Sequence, residues 1–358
     1  MFLSNLLFST MIQTVLSTYG LKDAETGVET FGSGLINNTW KLISSGKTYV
    51  LQRVNDVVFK HPQNIAANIR LIAGYLHQHH PEYRFVNPVL SAKGDEMVFI
   101  EGQGFFRLFP FVTGSHSKDV VETPDQAYEA AVQFGRFTRL LSGIDLNKFK
   151  ITISSFHDLT LRYQQFMAAL KNGNKQRISQ SQELIKIITG YCDIVQIYEQ
   201  IKTDPAFRLR VTHHDTKIGN VLFDKNDKGL CVIDLDTAMP GYFISDVGDM
   251  MRTYLSPVSE EEKDINKIEI REDFYKAIVE GYSDEMKDEL TGIEKKYFFY
   301  AGKFMIYMQA VRFLTDYIND DVYYNITYPE HNFIRAGNQL TLLQRLSEKK
   351  SVFTKYHV

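Results

Sequence analysis

The segment from residue 213 to residue 236 constrains the fold of this chain more than any other part of the sequence. Its polar side chains lie at its two ends: His213, Asp215, Asn220, Asp234 and Asp236. Between them are two short apolar runs, separated by a polar turn at residues 224–228. Apolar runs on either side of a short polar turn are typical of a β-hairpin. The sequence therefore predicts a hairpin with polar groups at each end of its strands.

The spacing of these side chains suits phosphoryl transfer. Four residues separate Asp215 from Asn220, as in the D-x-x-x-x-N part of the kinase catalytic loop. Such a reaction needs an aspartate that orients the attacking hydroxyl and oxygen ligands that hold Mg²⁺ against the phosphates. We therefore predict that Asp215 is the catalytic base and that Asn220 and Asp234 are metal ligands. Asp234 and Asp236 are expected on one face of a strand end, because side chains alternate along a strand.

Each of these residues has a structural interpretation when it is considered alone. Aspartate and asparagine are common in turns, and a lone histidine such as His213 is usually an interior residue with its hydrogen bonds satisfied. The order of the whole set is much more specific than any single member. We therefore favour a catalytic site over a chance arrangement of turn residues.

The composition excludes several classes of protein. A chain of 358 residues, 44% of them apolar, is long enough for two lobes that each bury a core. A formal net charge of −3 argues against a general nucleic-acid binder. The first 21 residues contain no lysine or arginine and too many polar residues for a membrane span. Two cysteines without metal or redox spacing favour a reducing compartment. We predict a cytoplasmic protein that binds neither nucleic acid nor membrane.

The periodicity of apolar residues divides the chain into two parts. After an amphipathic first helix, strand patterns surround one helix pattern, at residues 31–42, 48–54, 62–79, 98–100 and 105–111. Later segments have helical spacing, among them 127–141, 156–170, 183–202, 273–281, 294–317 and 332–346. We predict an α+β fold with two lobes. The small, mainly β N-terminal lobe at 1–112 would bind the nucleotide, and the larger, mainly helical lobe at 113–358 would carry the catalytic loop and the acceptor site.

The first predicted hairpin carries a run suited to phosphates. The run contains Gly32, Ser33, Gly34 and Asn37. Glycine lets backbone N–H groups approach a phosphate closely, although strand turns need glycine too. Arg53 follows on the next predicted strand, where its guanidinium can reach the phosphates; a surface charge is the alternative. Phe109 lies where the connector between the lobes should pass the adenine, and it is either a ligand contact or a core residue.

With these residues identified, the chain resembles the aminoglycoside phosphotransferase and choline kinase superfamily over about residues 15–350. Residues 213–220 match the catalytic loop of that superfamily, and residues 233–234 match its metal-binding segment. The resemblance implies a two-lobed protein-kinase-like fold, ATP and Mg²⁺ as cofactors, and a small-molecule acceptor. It also implies that Lys217 contacts the γ-phosphate. For Asp236, a second metal contact and a structural role are both open.

Within that superfamily, the chain is most similar to the N-acetylhexosamine 1-kinases. The segments that carry this similarity are 31–37, 49–55, 234–241 and 312–317. The similarity implies phosphorylation of the anomeric hydroxyl of N-acetylglucosamine or N-acetylgalactosamine. One departure is that kinase-like folds pair the phosphate-binding cation with a glutamate on the N-lobe helix, whereas residues 62–80 contain no acidic residue. Either Asn64 or Asn68 replaces that glutamate, or the phosphates alone hold Arg53.

The sugar site is expected in a late helix and the loop after it, where this superfamily builds acceptor specificity. Beside Asp215, the residues expected to contact the sugar are Arg312, Asp316, Tyr323 and Tyr324. Arg312 and Asp316 are four residues apart and share a helix face, so a surface ion pair is the alternative. Choline, an aminoglycoside or another small alcohol is a second interpretation of the acceptor, and a nucleotide-binding pseudokinase is a third. We expect a monomer.

Overall fold

The computed structural model describes residues 2–21, 24, 28–32 and 36–356. In this part of the chain, an antiparallel sheet and two helices form a small N-terminal lobe, and helices form most of the larger C-terminal lobe. The predicted α+β class and the two-lobed arrangement are confirmed. The lobe boundary at residue 112 stays a prediction. No helix within the described ranges is long and apolar enough to cross a membrane.

The N-terminal lobe is built on an antiparallel sheet. In chain order its strands are β1 Glu29–Thr30, β2 Asn38–Ser44, β3 Lys47–Val54, β4 Val98–Ile100 and β5 Gly104–Pro110. In space their order is β1-β2-β3-β5-β4. Ser45 and Gly46 close the β2–β3 hairpin, and both have positive φ, as a tight hairpin turn requires. The strand predicted at residues 31–42 is shorter in the structure, because a bend at residues 36–37 precedes β2.

The two faces of this sheet have different partners. Neighbouring residues of a strand point to opposite faces, so Leu51 and Gln52 of β3 lie on different sides. The face with Leu51 packs against α1 (Phe2–Thr18), whose Val15 and Leu16 are fully buried. This is the amphipathic first helix that the sequence predicts. The face with Gln52 looks toward the C-terminal lobe and therefore forms one wall of the cleft between the lobes.

Helix α2 (Pro62–His79) has the bounds predicted from the sequence. The apolar side chains on its buried face are Ile65, Ile69, Ile72 and Leu76. Its Asn68 fastens the helix to the C-terminal lobe. The Asn68 amide donates to the carbonyls of Lys150 (2.8 Å) and Ala238 (3.0 Å) and accepts a bond from the Lys150 N–H (2.8 Å). Asn68 therefore joins the two lobes, and its amide group is fully used in doing so.

The C-terminal lobe is organised around one buried helix, α10. In chain order its helices are α3 Pro124–Leu140, α4 Leu159–Asn172, α5 Lys175–Gln180, α6 Gln182–Gly190, α7 Asp193–Thr203, α8 Phe243–Tyr254, α9 Glu272–Met286, α10 Phe298–Ile318, α11 His331–Glu348 and α12 Lys350–Phe353. Helix α10 packs against α4, α8 and α11, as expected for a helix that is apolar on almost all sides. The helix predicted at 183–202 is divided into α6 and α7, because the chain turns after Gly190, a poor helix former.

Two small ribbons hold the segment that carries the polar cluster. β6 (Arg210–Thr212) pairs with β9 (Met239–Gly241), and β7 (Val221–Phe223) pairs with β8 (Gly229–Val232). The predicted hairpin is confirmed, but its second strand ends before the aspartates. Asp234 has a left-handed φ of 61°, and a 3₁₀ turn follows it. The expectation that Asp234 and Asp236 alternate along a strand is therefore wrong. The chain has already left the ribbon, and the 3₁₀ turn rather than the pleat sets their directions.

The crossing of α8 and α10 gives a test of this packing. A methyl group on Gly248 would lie 2.3 Å from the carbonyl oxygen of Ala301 and 2.9 Å from Cβ of Met305. We expect Gly248→Ala to lower the free energy of unfolding by about 1–3 kcal/mol, because the backbone of α10 cannot move away. In Gly74→Ala, the matched change in α2, the methyl meets nothing within 4 Å. Urea denaturation followed by circular dichroism should show a loss for Gly248→Ala alone, and equal effects would contradict the crossing.

Candidate active site

Asp215 lies at the centre of the catalytic loop, which follows β6. Its carboxylate accepts a hydrogen bond from Asn220 Nδ2 (2.9 Å) and forms an ion pair with Lys217 Nζ (3.1 Å). The side chain is 28% exposed, so an incoming hydroxyl can reach it. The Asn220 amide nitrogen also donates to the Asp215 carbonyl (2.8 Å). Because both bonds use the nitrogen of Asn220, its amide oxygen is available to another ligand.

The charges around Asp215 keep it ionised. Burial alone would raise the pKa of this carboxyl. The charge of Lys217 and the hydrogen bonds from Lys217 and Asn220 outweigh burial, so the pKa lies below its ordinary value. A carboxylate with a lowered pKa is a weak base. It suits a reaction in which orientation of the hydroxyl matters more than early removal of its proton, as in a loose phosphoryl-transfer transition state.

Asp234 has the properties of a metal ligand. Its Oδ1 atom is buried and has no hydrogen-bond donor. Burial, followed by the charge of Asp236, raises the pKa of Asp234 to about 7, and the charge of Arg107 opposes them. A buried carboxylate oxygen without a donor is costly unless a cation satisfies it. The described residues contain no group of three or more His, Cys, Asp or Glu side chains that could enclose a metal. One carboxylate and one amide, Asp234 and Asn220, fit Mg²⁺, which takes its other ligands from phosphates and water.

Asp236 joins the lobes. Its Oδ2 accepts a hydrogen bond from Asn37 Nδ2 (2.8 Å), and its Oδ1 lies 2.5 Å from Nη1 of Arg107 on β5. Arg107 Nη2 lies 3.9 Å from Asp234 Oδ1. Asn37 is held in turn through its oxygen, which accepts a bond from the Asn55 N–H (3.0 Å). Two N-terminal elements thus meet the 3₁₀ turn of the C-terminal lobe at one carboxylate.

Arg53 does not lie with Arg107, Asp234 and Asp236. On β3 it is paired with Phe106 of β5, whereas Gln52 is paired with Arg107. Gln52 Oε1 accepts a bond from Arg107 Nε (3.0 Å), so Gln52 and Arg107 share the face of the sheet toward the cleft. Arg53 therefore points to the other face, where its guanidinium lies against Gly104. The alternation of side chains along a strand separates Arg53 from the acidic residues.

The remaining residues predicted on the nucleotide side lie around the cleft wall. Gly32 has φ of 80°, which favours glycine. Ser33 and Gly34 lie outside the described residues. Phe109 is half-buried, and the Arg107 guanidinium lies 5.2 Å from the centre of its ring. Phe109 is therefore on the same face of the sheet as Arg107 and Gln52.

Helix α8 supports the catalytic loop through hydrogen bonds, a role that the sequence did not predict. Asp246 of α8 accepts bonds from the N–H groups of His213 (3.0 Å) and His214 (2.8 Å). Asp249, one turn later, accepts a bond from the Thr216 N–H (2.8 Å). His214 has a left-handed φ of 65°, an unfavourable conformation for a residue with a side chain. These bonds maintain the strained loop that presents Asp215.

Arg252 connects Asp249 of this helix to the loop that follows α8. Arg252 forms an ion pair with Asp249 (2.9 Å) and with Glu260 (2.7 Å) in the loop after α8. The available signal was the Asp246-x-x-Asp249-x-x-Arg252 spacing, which puts three charged groups on one face of a helix directly after Asp234 and Asp236. An apolar helix with charges on its buried face indicates a polar partner. The sequence gives no indication that this partner is the catalytic loop.

Four of the five residues expected at the acceptor site line one cavity of about 500 Å³, whereas the fifth, Asp215, does not line it. The cavity is lined by Arg312, Asp316, Tyr323 and Tyr324, together with Arg162 and Asn172. The Arg312 guanidinium lies 5.7 and 5.4 Å from the rings of the two tyrosines and donates to Gln309. It is also 5.9 Å from the ring of Phe156, which in turn is 6.4 Å from the ring of His214. One aromatic layer therefore separates Arg312 from the catalytic loop.

The cavity has a positive character. Arg162, which the sequence reasoning did not select, bonds to Gln165 and to the Ser155 carbonyl, and its Nε atom is buried without a partner. Burial, followed by the charge of Arg312, lowers the pKa of Arg162. Neither arginine forms an ion pair with a carboxylate in the described part of the chain. The only acid lining the cavity among these residues, Asp316, accepts bonds from two backbone N–H groups and from Asn332. Asp316 shapes the tyrosine loop and does not pair with Arg312.

A comparison with known families agrees with this geometry. The family model described as "APH: Phosphotransferase enzyme family" matches residues 27–290. The chain belongs to this phosphotransferase family. The match includes the catalytic loop, the acidic 3₁₀ turn and the supporting helix α8, and it ends before α10, which contributes Arg312 to the cavity.

Solved structures with the same fold are phosphotransferases of several small molecules. A microcompartment-associated aminopropanol kinase has a TM-score of 0.65 at 15% identity, with 98% of this chain and 99% of that chain covered. An amicoumacin kinase in complex with AMP-PNP, Ca²⁺ and Ami has a TM-score of 0.63 at 15% identity, covering 95% and 93%. A choline/ethanolamine kinase family protein from Mesorhizobium loti has a TM-score of 0.58 at 16% identity, covering 99% and 97%. At these identities the likeness shows the fold alone.

The support from α8 predicts a loss of turnover in Asp246→Asn. The amide nitrogen of the variant would face one of the two loop N–H groups, donor against donor. We expect the free energy of unfolding to fall by about 1–3 kcal/mol and phosphoryl transfer to fall at least tenfold. Thermal denaturation and a coupled ADP-release assay measure the two effects. Asp145→Asn is the matched control, because Asp145 is 49% exposed and asparagine caps a helix equally well. Full activity in Asp246→Asn would contradict the role given to α8.

Proposed function

We propose that this phosphotransferase uses ATP and Mg²⁺ to phosphorylate the anomeric hydroxyl of an N-acetylhexosamine, giving the sugar 1-phosphate. The observation that carries the proposal is the convergence of Asp215, Asn220 and Asp234 at one end of the cleft. After burial and the charge of Asp236, the charge of Asp215 also raises the pKa of Asp234. Against burial, the charges of Asp215 and Asp234 both raise the pKa of Lys217, so the three groups lie close together. A pseudokinase tends to lack the base or a metal ligand, whereas this chain has a residue suited to each of these roles at Asp215, Asn220 and Asp234.

Each residue has a defined task in this reaction. Asp215 orients the sugar hydroxyl and accepts its proton at Oδ1 or Oδ2. Lys217, paired with Asp215 and within the field of Asp234, supplies positive charge beside the transferred group. Asn220 and Asp234 hold the metal. When bound, Mg²⁺ neutralises charge on the phosphates.

We assign the part of the acceptor that extends beyond Asp215 to the cavity lined by Arg162 and Arg312, and the charge of this cavity supports a neutral sugar over a cation. Arg162 and Arg312 both line the cavity, and neither guanidinium is neutralised by a carboxylate among the described residues. A choline or an aminoglycoside would meet like charge there, which opposes binding. The carbonyl of an acetamido group is an acceptor that a guanidinium can bind. A sugar ring also suits the tyrosine wall formed by Tyr323 and Tyr324. A volume of about 500 Å³ lies within the usual range of small-molecule sites, roughly 300–1,000 Å³.

Removal of the base gives a direct test of the chemistry. Asp215→Asn keeps a group of the same shape and can still accept a bond from Asn220, but it cannot take a proton. We expect the turnover number to fall by about 10²- to 10⁴-fold. ADP affinity, measured by titration calorimetry, should change little, because Asp215 acts on the acceptor. Asp288→Asn, on an exposed residue of the same lobe, is the control. Near-normal turnover in Asp215→Asn would remove Asp215 from the base role.

An acceptor panel tests the substrate class. The panel contains N-acetylglucosamine, N-acetylgalactosamine, their parent hexoses, choline and kanamycin, each with ATP and Mg²⁺ in a coupled ADP-release assay. We expect the N-acetylated sugars to give the highest kcat/KM and the two cations the lowest. Arg312→Met should reduce kcat/KM for the N-acetylated sugars by at least tenfold while the parent hexoses lose less. Arg208→Met, on an exposed arginine outside the cavity, should have no effect. Preference for a cationic acceptor would overturn the sugar assignment.

A further inference from the structure

We propose that Arg107 is the cation of the N-terminal lobe that binds the phosphates of the nucleotide, and that Asp236 is its counter-ion and not a metal ligand. This inference deepens the proposed function, since it assumes that a nucleotide binds in the cleft. It assigns the phosphate contact to β5, whereas the sequence points to Arg53 on β3.

The surroundings of Arg107 are those of a group that holds a ligand. Its side chain is 1% exposed, and both of its Nη atoms are buried without an aligned hydrogen-bond acceptor. One Nη atom lies against Asp236 and the other is 3.9 Å from Asp234, too far for a direct bond. A buried guanidinium is costly unless its donors are satisfied. Phosphate oxygens are suitable acceptors for these donors, because a guanidinium binds them in a fork.

The guanidinium is also held in one orientation. Gln52 Oε1 accepts a bond from its Nε (3.0 Å), and Gln52 itself is fixed by its own bond to Thr39 Oγ1 (3.2 Å). Thr39, Gln52 and Arg107 lie side by side on β2, β3 and β5, which are neighbouring strands, and all three are on the cleft face of the sheet. On β3, the residue on this face is the uncharged Gln52. Among the described residues of these strands, Arg107 is the cation that lies within ion-pair distance of Asp234 and Asp236. A cation placed in advance loses little entropy when it binds a phosphate.

The two aspartates have different surroundings, which divides their roles. Asp236 Oδ2 accepts a hydrogen bond from Asn37, and Asp236 Oδ1, although it has no aligned hydrogen-bond donor, is in close ion-pair contact with Arg107 Nη1 at 2.5 Å. Asp234 Oδ1 has no hydrogen-bond donor and only a long ion-pair contact with Arg107 Nη2 at 3.9 Å, and the charges of Asp215 and Lys217 also act on it. Asp236 would have to give up Arg107 or Asn37 to bind a metal. Asp234 Oδ1 can bind a metal ion without loss of a hydrogen bond.

Nucleotide binding without any acceptor tests the phosphate contact. Titration calorimetry with adenosine and with ADP, each in Mg²⁺ and in EDTA, separates the phosphates from the base and ribose. We expect Arg107→Met/Asp236→Asn to lower ADP affinity at least tenfold, as loss of a charge-assisted bond requires, and to leave adenosine affinity within twofold. The double variant is used because Arg107→Met alone would leave the Asp236 carboxylate buried without its ion-pair partner, which can cause the single variant to misfold. Arg84→Met, on an exposed arginine, is the control and should match the unchanged protein.

Two further variants identify the strand that provides the cation. Arg53→Met should keep the ADP affinity of the unchanged protein. Gln52→Lys in the Arg107→Met/Asp236→Asn background should recover part of that affinity, because it restores a cation on the same face one strand away. A tenfold loss in Arg53→Met, with ADP affinity intact in the double variant, would overturn the assignment to Arg107. Equal losses of adenosine and ADP affinity in the double variant would also overturn it, since they would indicate a structural role.

The roles of the aspartates are tested by the Mg²⁺ dependence of binding. The measured quantity is the ratio of ADP affinity in Mg²⁺ to that in EDTA. We expect Asp234→Asn to bring this ratio close to one and Asp236→Asn to leave it within twofold of the unchanged protein. Collapse of the ratio in Asp236→Asn would make Asp236 a metal ligand and overturn that part of the proposal. These measurements use no sugar, so failure of every acceptor in the panel would refute the proposed function while leaving the result for Arg107 intact.

Discussion

The active site depends on the hydrogen bonds that the Asp246 carboxylate accepts from the catalytic loop. His214 adopts a left-handed backbone with φ of 65°, which is unfavourable for a residue with a side chain, so the loop needs support to keep this shape. Asp246 satisfies two loop N–H groups at once, and Asp249 satisfies a third through Thr216. Burial raises the pKa of Asp246 to about 7, against the opposing effect of those N–H groups. The strain in the loop is thus balanced by a buried carboxylate on a helix that is itself fixed by the close α8–α10 crossing.

The second requirement is a fixed relation between the lobes. Asp236 meets both Asn37 and Arg107, and Asn68 of α2 bonds to the carbonyl of Ala238 close by. These contacts all involve the few residues around the 3₁₀ turn. The turn therefore aligns the cleft face of the sheet with the catalytic loop, which is what a reaction controlled by positioning requires. The absence of an acidic residue on α2 is understandable in this arrangement. The helix is anchored through asparagine to the backbone, and Arg107 has its counter-ion in the other lobe.

The cavity lined by Arg162 and Arg312, proposed above as part of the acceptor site, lies apart from the residues proposed for phosphoryl transfer. The loop, the turn and α8 carry the residues of phosphoryl transfer, while Arg162 and Arg312 come from α4 and α10 and face a separate cavity. The related folds include kinases of an aminopropanol, an amicoumacin and a choline or ethanolamine type. A cavity with two unpaired guanidinium groups differs in charge from what a cationic acceptor needs. In the proposed function, the acceptor is therefore selected by side chains on two helices that differ from the elements carrying the proposed base and metal ligands.

The sequence by itself determined many of the local elements, and it predicts the chemistry of residues 213–236. The bounds of α2, the β7–β8 hairpin and the grouping of Asp215 with Asn220 follow from periodicity and spacing, because these features depend on residues close together in the chain. The two-lobed α+β class followed from the order of the elements and the resemblance to a known superfamily. Only the tertiary structure decided which distant side chains meet. Arg53 and Arg107 are equally suitable cations in the sequence, yet the pairing of β3 with β5 directs one to each face of the sheet. The carboxylates of α8 reach the loop, and Arg162 reaches Arg312, through packing between segments far apart in the chain. No periodicity encodes such contacts, because they depend on how whole helices and strands are placed.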